Sequence, residues 1–462
     1  MNRYKKLASN TFTFAIGTFS SKFLVFLMLP LYTRTLSSAE YGEVDLVVQA
    51  CNLMIPLASA GIINAVIRFG LDSSTNKKGV FSFSLVTCLL GFVLLWLAKP
   101  LFMNIDFLSA NIRYVYLFVF TAVLHSLCSN FIRSQEYVRL YAFDGVLRTV
   151  LTIIFNIVFL AVLRLGIAGY LLATILSDAV STVVLFFSAR LYRFFSLQSM
   201  DKGTASSMMK YALPLIPTMV SIWIISLSDR YILSYLIGTE ANGLYAIAYK
   251  IPTIITIMAT IFMDAWQISS VNEYQKKDSA HFFSRVYSVY SALVFTASSV
   301  IIAFTKTITG ILVSSDFYSA WQYIPILVLS TSFACFATFL SSIYMSEKKS
   351  GHVLLTTTIS ALINITLNFI LIPVFGIQGA GISTLFSYLT MFVIRAIHSR
   401  SFIKMNLGIP QLIINTAILL VQIIILLIGS QSWLIYELVL ATLVFGINLK
   451  PLLIGVRKVV EP

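Results

Sequence analysis

Charged residues interrupt several of the most apolar stretches of this sequence. Asp229, Arg230 and Lys250 lie inside or at the edge of runs made otherwise of hydrocarbon side chains, and Lys22 lies in the middle of an earlier run. A charge at membrane depth is expensive and usually faces a protein interior or a water-filled cavity. These residues are therefore the first candidates for a functional site.

The composition predicts a polytopic membrane protein. Of the 462 residues, 58% are hydrophobic and 11% are charged, and the mean hydropathy is +0.90, whereas a soluble domain carries about 25% charged residues. Fourteen apolar runs are each long enough to cross a hydrocarbon core of about 30 Å as a helix. The predicted spans are 11–33, 44–67, 80–98, 114–132, 147–163, 167–189, 212–237, 244–268, 282–305, 320–345, 354–375, 379–397, 412–428 and 433–449. The predicted fold class is all-α.

The distribution of Lys and Arg predicts the orientation of these spans. With a cytoplasmic N-terminus, 24 of the 32 lysines and arginines fall on the cytoplasmic side, 5 fall outside and 3 lie within spans. Basic residues concentrate in cytoplasmic loops, so both termini are expected in the cytoplasm. The net charge of +14 then reflects contacts with anionic headgroups of membrane lipids, and nucleic acid is not an expected partner.

The sequence lacks motifs for catalysis, metals or nucleotides. Its four cysteines fall in predicted spans without CxxC spacing, and His125 stands alone in another span. No GxxxxGK[ST] loop is present to hold ATP phosphates. Neither a metal nor a cofactor is expected, no catalytic residue is assigned, and any transport must be driven by a proton or sodium gradient, by the membrane potential or by a partner.

Two short segments recur along the chain at nearly equal offsets. Residues 35–42 and 236–243 are turns with Glu and Gly whose final glycines lie 201 residues apart, and 165–169 resembles 375–379 at an offset of 210. Such repetition predicts two six-helix lobes related by an axis along the membrane normal, and chance similarity of glycine-containing turns is the alternative. The predicted domains are a first lobe 1–193, a cytoplasmic linker 194–209, a second lobe 210–404, and two extra helices with a cytoplasmic tail in 405–462.

Prolines lie at the start of both predicted lobes. Pro30 and Pro56 fall in the first two spans, and Pro214, Pro217 and Pro252 fall in the seventh and eighth. Each proline removes a backbone hydrogen bond and tends to bend its helix. Bent helices at these positions could act as gates for alternating access, although prolines also occur in membrane helices for packing reasons alone.

The same four spans concentrate the deep charges, four positive and two negative. These residues are Lys22, Arg34, Asp45, Asp229, Arg230 and Lys250. If the spans face one another between the lobes, they enclose a cavity with a positive bias that suits phosphate, to which Arg offers bidentate contacts. The alternative is that Asp229 and Arg230 mainly form internal ion pairs. Asp178 and Asp264, in the sixth and eighth spans, are candidates for proton or sodium coupling, or simply for hydrogen bonds between helices.

Three segments carry a resemblance to a known family. They are SKFLVFLMLPLYTRTLSSAEYG from Ser21, the Asp229–Leu233 segment DRYIL with Gly238 and the Asn242–Tyr245 segment NGLY, and NFILIPVFGIQGAG from Asn368. Over essentially its whole length the chain resembles the polysaccharide-transport branch of the multidrug/oligosaccharidyl-lipid/polysaccharide exporter superfamily. Within that branch it is most similar to Wzx-type repeat-unit flippases.

The resemblance implies two six-helix lobes in a V, followed by two extra helices, in a bacterial cytoplasmic membrane. It implies transfer of undecaprenyl-diphosphate-linked oligosaccharide to the outer leaflet, in company with polysaccharide polymerase machinery. By the same similarity, Lys22, Arg34, Arg230 and Lys250 are expected to receive the diphosphate or acidic sugars.

Other functions stay open on the sequence alone. A lipid II flippase is the nearest alternative, and a cation-coupled small-molecule exporter of the same superfamily is a further one. The positive bias of the deep charges argues against cationic drugs as cargo. A membrane-bound polymerase or ligase would be expected to carry a large outer loop with catalytic residues, whereas the longest predicted outer loops, 99–113 and 306–319, are short.

Overall fold

The computed structural model describes residues 26, 28–72, 74–274, 278–347, 349–429 and 431–460. Within these ranges the chain is helical and forms no strand. Ten of the described helices are long and apolar enough to cross a membrane, or up to twelve if each of two bent pairs forms one span. The predicted all-α, polytopic fold class is confirmed.

By compactness the chain divides into two units. The first unit is Leu31–Leu227, and the second contains the described residues of Ser228–Pro462 together with those up to Pro30. Both boundaries fall inside predicted spans, the first and the seventh. The lobes inferred from the sequence repeat, 1–193 and 210–404, remain a prediction.

The helices before the second boundary are mostly long and apolar. They are α1 (Leu29–Thr35), α2 (Ser38–Ala58), α3 (Ile62–Leu71), α4 (Lys77–Leu97), α5 (Lys99–Phe102), α6 (Asp106–Ser134), α7 (Val138–Asn156), α8 (Gly166–Ser188) and α9 (Lys202–Ala212). A π-helical segment, Ile157–Val162, continues α7. The next helix, α10 (Leu215–Leu236), contains the boundary at Leu227.

The second unit continues with nine described helices. They are α11 (Thr239–Lys250), α12 (Thr253–Tyr274), α13 (Ser279–Ala303), α14 (Thr305–Leu312), α15 (Ile324–Ser346), α16 (Ser350–Phe375), α17 (Ile377–His398), α18 (Ile409–Ile428) and α19 (Trp433–Val460). The core of this unit contains many buried aromatic side chains. Trp266 stacks on Phe339 with ring centroids 4.9 Å apart and donates from its indole Nε1 to Ser342 Oγ at 2.8 Å.

Two predicted spans are broken helices. The predicted span 44–67 is formed by α2 and α3, which meet at 53°, and 244–268 is formed by α11 and α12, which meet at 44°. Pro56 lies in the last turn of α2 and Pro252 lies at the second break. In the first break Gly61 has a φ of +66°, a conformation open to glycine at little cost. The expected bends are present, and the prediction of two continuous helices was wrong.

Both broken spans also begin earlier than predicted. The helix α2 starts at Ser38, where the Ser37 hydroxyl accepts from Glu40 N at 3.2 Å and the Glu40 carboxylate accepts from Ser37 N at 2.8 Å. This capping box satisfies backbone donors at the helix start. Much of the segment predicted to be a turn is therefore the first turn of a helix.

The sequence repeat corresponds to repeated backbone geometry. The broken pairs begin at Ser38 and Thr239, 201 residues apart. Gly166 at the start of α8 and Gly376 just before α17 lie 210 residues apart and have φ values of +56° and +59°. Because equal offsets mark equal local structures, the echoes are not chance similarities of turns.

Helices α2 and α4 approach each other closely at a glycine. A Cβ atom on Gly91 would overlap the backbone carbonyl of Ala58 at the end of α2. Gly91→Ala is therefore expected to lower the free energy of unfolding by about 1–3 kcal/mol, since overpacking forces backbone shifts.

Thermal denaturation of the purified protein in detergent measures this effect. Gly446→Ala in α19 is the matched control, because a Cβ there would meet no atom within 4 Å. Equal melting temperatures for the two variants would contradict the close approach of α2 and α4.

Candidate functional site: two buried polar clusters

The first unit contains a buried polar cluster around Asp144. His125 Nε2 lies 3.1 and 3.2 Å from the two carboxylate oxygens of Asp144, and the Ser129 hydroxyl donates to the same carboxylate at 3.2 Å. The Ser181 hydroxyl donates to the other oxygen. All four side chains are buried. We call these residues the Asp144 cluster, and it joins helices α6, α7 and α8.

An ion pair lies one turn further along the same two helices. Arg148 Nε donates to Asp178 Oδ1, and Arg148 follows Asp144 by four residues on α7, so both side chains project from one face. Asp178 is buried, whereas 43% of the Arg148 side chain is exposed. The pair therefore has an accessible cationic end.

Sequence reasoning found Asp178 and missed the other members. The fifth span was predicted to begin at residue 147, but α7 begins at Val138, nine residues earlier. Asp144 was thus assigned to a loop and Arg148 was counted as a loop residue, and both assignments were wrong. An earlier helix start would have shown Asp144 and Arg148 at i and i+4. It would also have supplied a carboxylate for His125, which is not isolated.

The second unit contains a buried cluster around Asp229. The Tyr245 hydroxyl donates to Asp229 Oδ2, and the Thr384 hydroxyl donates to the same oxygen at 3.3 Å. Arg230, 6% exposed, interacts electrostatically with Asp229, and its guanidinium lies 5.5 Å from the centre of the Tyr249 ring. We call these residues the Asp229 cluster, and it joins α10, α11 and α17.

Amide side chains extend the Asp229 cluster onto α16. The Ser228 hydroxyl donates to Asn364 Oδ1 at 3.0 Å, and the Asn368 side-chain amide donates to the same oxygen at 3.0 Å. Asn364 Nδ2 lies 3.5 Å from the Thr384 hydroxyl. A continuous band of polar groups thus crosses the interior of four helices, around a carboxylate and a guanidinium.

The structure distributes the remaining predicted site residues as follows. Arg34 is exposed at the end of α1, and Asp45 is buried in α2, where Gln49 Nε2 approaches it at 3.5 Å. Lys250 is half-buried at the end of α11. Asp264 lies in α12, and Lys22 lies outside the described residues.

The predicted ring of six charges is thus divided between the two units. Arg34 and Asp45 belong to the first unit, and Asp229, Arg230 and Lys250 belong to the second. A single cavity formed by all of them remains a prediction.

Two further buried charges of the second unit were also missed. Arg395, counted with the cytoplasmic loops, lies inside α17 at 3% exposure and donates to the Ala337 carbonyl at 2.8 Å and to the hydroxyls of Thr356 and Thr357 at 3.0 and 2.8 Å. It holds α15, α16 and α17 together. No carboxylate in the sequence suggests this role, because its partners are backbone carbonyls and hydroxyl groups.

The other missed charge is Glu437, which is fully buried in α19. Gln422 Nε2 donates to its Oε2 at 2.9 Å, and the Ser299 hydroxyl donates to Gln422 Oε1 at 2.8 Å. The Lys306 ammonium lies 4.3 and 4.7 Å from the ring centres of Trp321 and Trp433. Burial lowers the pKa of Lys306, and the negative charge of Glu437 opposes that shift. This network attaches α18 and α19 to α13.

Chemically, the two clusters can bind ions and move protons. Each combines a buried carboxylate with hydroxyl donors and a cationic or titratable partner, which is the arrangement found along ion and substrate pathways inside membranes. Among the described residues no three His, Cys, Asp or Glu side chains converge in a way that could hold a metal ion.

Comparison with known sequences decides the family. Residues 7–267, more than half of the chain, match the family described as polysaccharide biosynthesis protein. The chain belongs to this family. The predicted resemblance to the polysaccharide-transport branch is thereby confirmed.

A curated relative and two solved structures agree with this family. The probable low-salt glycan biosynthesis flippase Agl15 of Haloferax volcanii is 26% identical over 222 residues, which are 47% of this chain and 47% of the relative. The chain thus matches about half the length of that relative.

The fold is also found in solved transporters. The lipid II flippase MurJ in an inward closed conformation has a TM-score of 0.70 at 13% identity and covers 97% of this chain and 100% of its own. An inward-facing multidrug resistance MATE family transporter of the MOP superfamily has a TM-score of 0.69 at 15% identity, covering 84% and 98%. At such identities the likeness concerns the fold alone.

Proposed function

We propose that this protein is a flippase that moves polyprenyl-diphosphate-linked oligosaccharide repeat units from the inner to the outer leaflet of a bacterial cytoplasmic membrane. The observation that carries the proposal is the match of residues 7–267 to the polysaccharide biosynthesis family. The flippase fold and the name of the Haloferax relative support it. Both termini are proposed to be cytoplasmic, and polysaccharide polymerase machinery is a proposed partner.

In this proposal the cargo is bound and not chemically changed. Lys22, Arg34, Arg230 and Lys250 contact the diphosphate or acidic sugars, while the polyprenyl tail stays in lipid. Arg230 is the described residue best suited to this role, because a buried guanidinium can form bidentate contacts with phosphate oxygens at low local dielectric. Rocking of the halves about the breaks near Pro56 and Pro252 exposes the cargo site first inward and then outward.

The driving force is proposed to enter through the Asp144 cluster and the Arg148–Asp178 pair. Protonation of a buried carboxylate removes the charge that holds His125 or Arg148 and weakens the contact. Such a change gives a proton gradient a means of shifting one packing arrangement relative to another. Sodium, the membrane potential, Asp45 and Asp264 are the further candidates for coupling.

A lipid II flippase is the second candidate function. The observation in its favour is the likeness to the MurJ fold over 97% of this chain. Lipid II also carries a polyprenyl diphosphate, so the same cationic residues would serve. A small-molecule exporter shares the fold with MATE transporters, but the buried Arg230 disfavours cationic cargo.

A vesicle assay tests the choice of cargo. Purified protein is reconstituted with fluorescent lipid-linked oligosaccharide or with fluorescent lipid II, and an impermeant quencher reports the fraction that has crossed. The oligosaccharide is expected to cross faster, and Arg230→Ala is expected to lower its rate roughly tenfold or more, because a hydrogen bond to a charged group contributes about 1.5–3 kcal/mol.

Arg400→Ala is the matched control, since Arg400 is exposed after α17. Preferential transfer of lipid II would favour the second candidate. Transfer of neither lipid by correctly folded, oriented protein would contradict both flippase proposals.

A further inference from the structure

A second site lies away from both polar clusters, at one end of the C-terminal helix pair. A cavity of about 510 Å³ opens between α13, the start of α18 and the latter half of α19. This volume is within the usual range of about 300–1,000 Å³ for small-molecule sites. We call it the α13–α19 pocket, and none of the residues assigned to the cargo or to coupling lines it, except that Lys450 and Arg285 share their charge sign.

The rim of the α13–α19 pocket is cationic. His281 and Arg285 from the first two turns of α13 and Lys450 from α19 line it, and Arg285 Nη2 lies 2.8 Å from His281 Nε2. No Asp or Glu occurs among the described residues that line the pocket. Because the basic charges are not balanced by a lining carboxylate, the rim favours an anion.

Below the rim the lining changes from polar to apolar. Ser288 and Ser291 follow Arg285 along α13, and Phe295 and Ile447 lie in the same lining. At 1.5 Å per helical residue, Arg285 and Phe295 are separated by about 15 Å along the helix. A ligand that fits this order has an anionic head and an apolar tail.

The pocket belongs to the cytoplasmic leaflet in the predicted topology. The helix α13 begins just after residues 275–278, a predicted cytoplasmic loop, and Lys450 lies near the end of the apolar part of α19, Trp433–Ile454. The cytoplasmic leaflet carries the anionic lipids, and each basic residue near it contributes about 1 kcal/mol of attraction. Phosphate-bearing amphiphiles are therefore abundant at the mouth of this pocket.

Polar contacts within the second unit hold the walls of the pocket in place. Asn406 N donates to Ser284 Oγ at 2.8 Å, which attaches the segment before α18 to α13. Asn448 Nδ2 donates to Asn415 Oδ1 at 2.8 Å, and Gln411 Nε2 donates to Asn448 Oδ1 at 3.0 Å. The pocket is therefore formed by side chains whose helices are already fixed to one another.

We propose that the α13–α19 pocket binds the phosphate headgroup of an anionic phospholipid of the cytoplasmic leaflet, with the start of an acyl chain along α13. Arg285 and Lys450 contact the phosphate, and Ser288 contacts the glycerol oxygens. The bound lipid fills the space between α13 and the two extra helices, so it stabilises their attachment. This site does not depend on the proposed flippase function.

Native mass spectrometry of the delipidated, full-length protein tests the proposal. Phosphatidylglycerol is titrated against phosphatidylcholine, and the Arg285→Ala/Lys450→Ala variant is compared with wild type. The variant is expected to bind phosphatidylglycerol about 30-fold more weakly, the effect of removing two basic residues at about 1 kcal/mol each. The matched control is Arg400→Ala/Lys404→Ala, which removes two exposed basic residues that do not line the pocket.

Further arms of the same experiment distinguish the sources of the phosphate. Competition by inorganic phosphate as strong as by phosphatidylglycerol, or preferential binding of undecaprenyl phosphate, would overturn the phospholipid assignment. Equal loss of affinity in the control variant would do the same.

A measurement on wild-type protein guards against misfolding of the variant. Photoactivatable phosphatidylglycerol is expected to crosslink to peptides containing residues 281–295 or 447–454. Crosslinks confined to other helices would refute the site.

Discussion

Asp229→Ala is expected to destabilise the protein by about 3–5 kcal/mol, because removal of one partner from a buried ion pair leaves the other charge poorly compensated. Asp229 is 4% exposed and accepts hydrogen bonds from Tyr245 and Thr384, while the neighbouring Arg230 is 6% exposed. Chemical denaturation in detergent measures the loss. Asp316→Ala is the control, since Asp316 is exposed, and its effect is expected to be small.

A double variant separates the structural role of this pair from its role in transport. Asp229→Ala/Arg230→Ala removes both charges and is expected to recover part of the lost stability, as paired removal of buried charges often does. Transport of lipid-linked oligosaccharide should remain absent, since the proposed phosphate contact is gone. If this double variant folds and transports at the wild-type rate, Arg230 serves only to balance Asp229.

Asp144→Ala is expected to cost about 3 kcal/mol and to abolish the dependence of transport on pH. The substitution leaves His125, Ser129 and Ser181 without the carboxylate to which they are hydrogen-bonded, and a buried polar group that loses its partner costs about 1–3 kcal/mol. Denaturation and a transport rate measured across a pH series report the two effects.

The neighbouring residues supply the controls for this second prediction. His125→Ala should reproduce the loss of pH dependence, and a double-mutant cycle with Asp144→Ala should give a coupling energy of about 0.5–3 kcal/mol. Arg148→Ala should cost less, because 43% of that side chain is exposed and exposed pairs contribute little. An unchanged pH profile in Asp144→Ala would exclude this cluster from coupling.

The sequence predicted the class of fold well because hydrophobic run length is a direct physical requirement of the membrane. The two echoes also located repeated geometry, since a glycine with positive φ leaves a visible mark at Gly166 and Gly376. Arg230 and Asp229 were found for a similar reason, because a charge inside an apolar run is conspicuous.

The positions that were missed depend on helix boundaries and long-range packing. Asp144 was missed because a polar segment that precedes an apolar run looks like a loop until the helix start is known. Arg395 was missed because its partners are hydroxyls and a carbonyl on two other helices. Glu437 is held by Gln422, 15 residues away, and sequence alone does not align these two side chains. The break after α2 requires Gly61 in the left-handed region, which a continuous apolar pattern conceals.

The repeated break, at Ser38–Leu71 and again 201 residues later, has a consequence for the history of the gene. A feature shared by both halves of a duplicated sequence most simply predates the duplication, whereas the Asp144 and Asp229 clusters occupy different helices and share no residue pattern. An ancestor of half the length, pairing with a second copy, would already have possessed the joint and lacked the present division of chemistry. Bending came first in this lineage, and the specialised charges were acquired by each half separately.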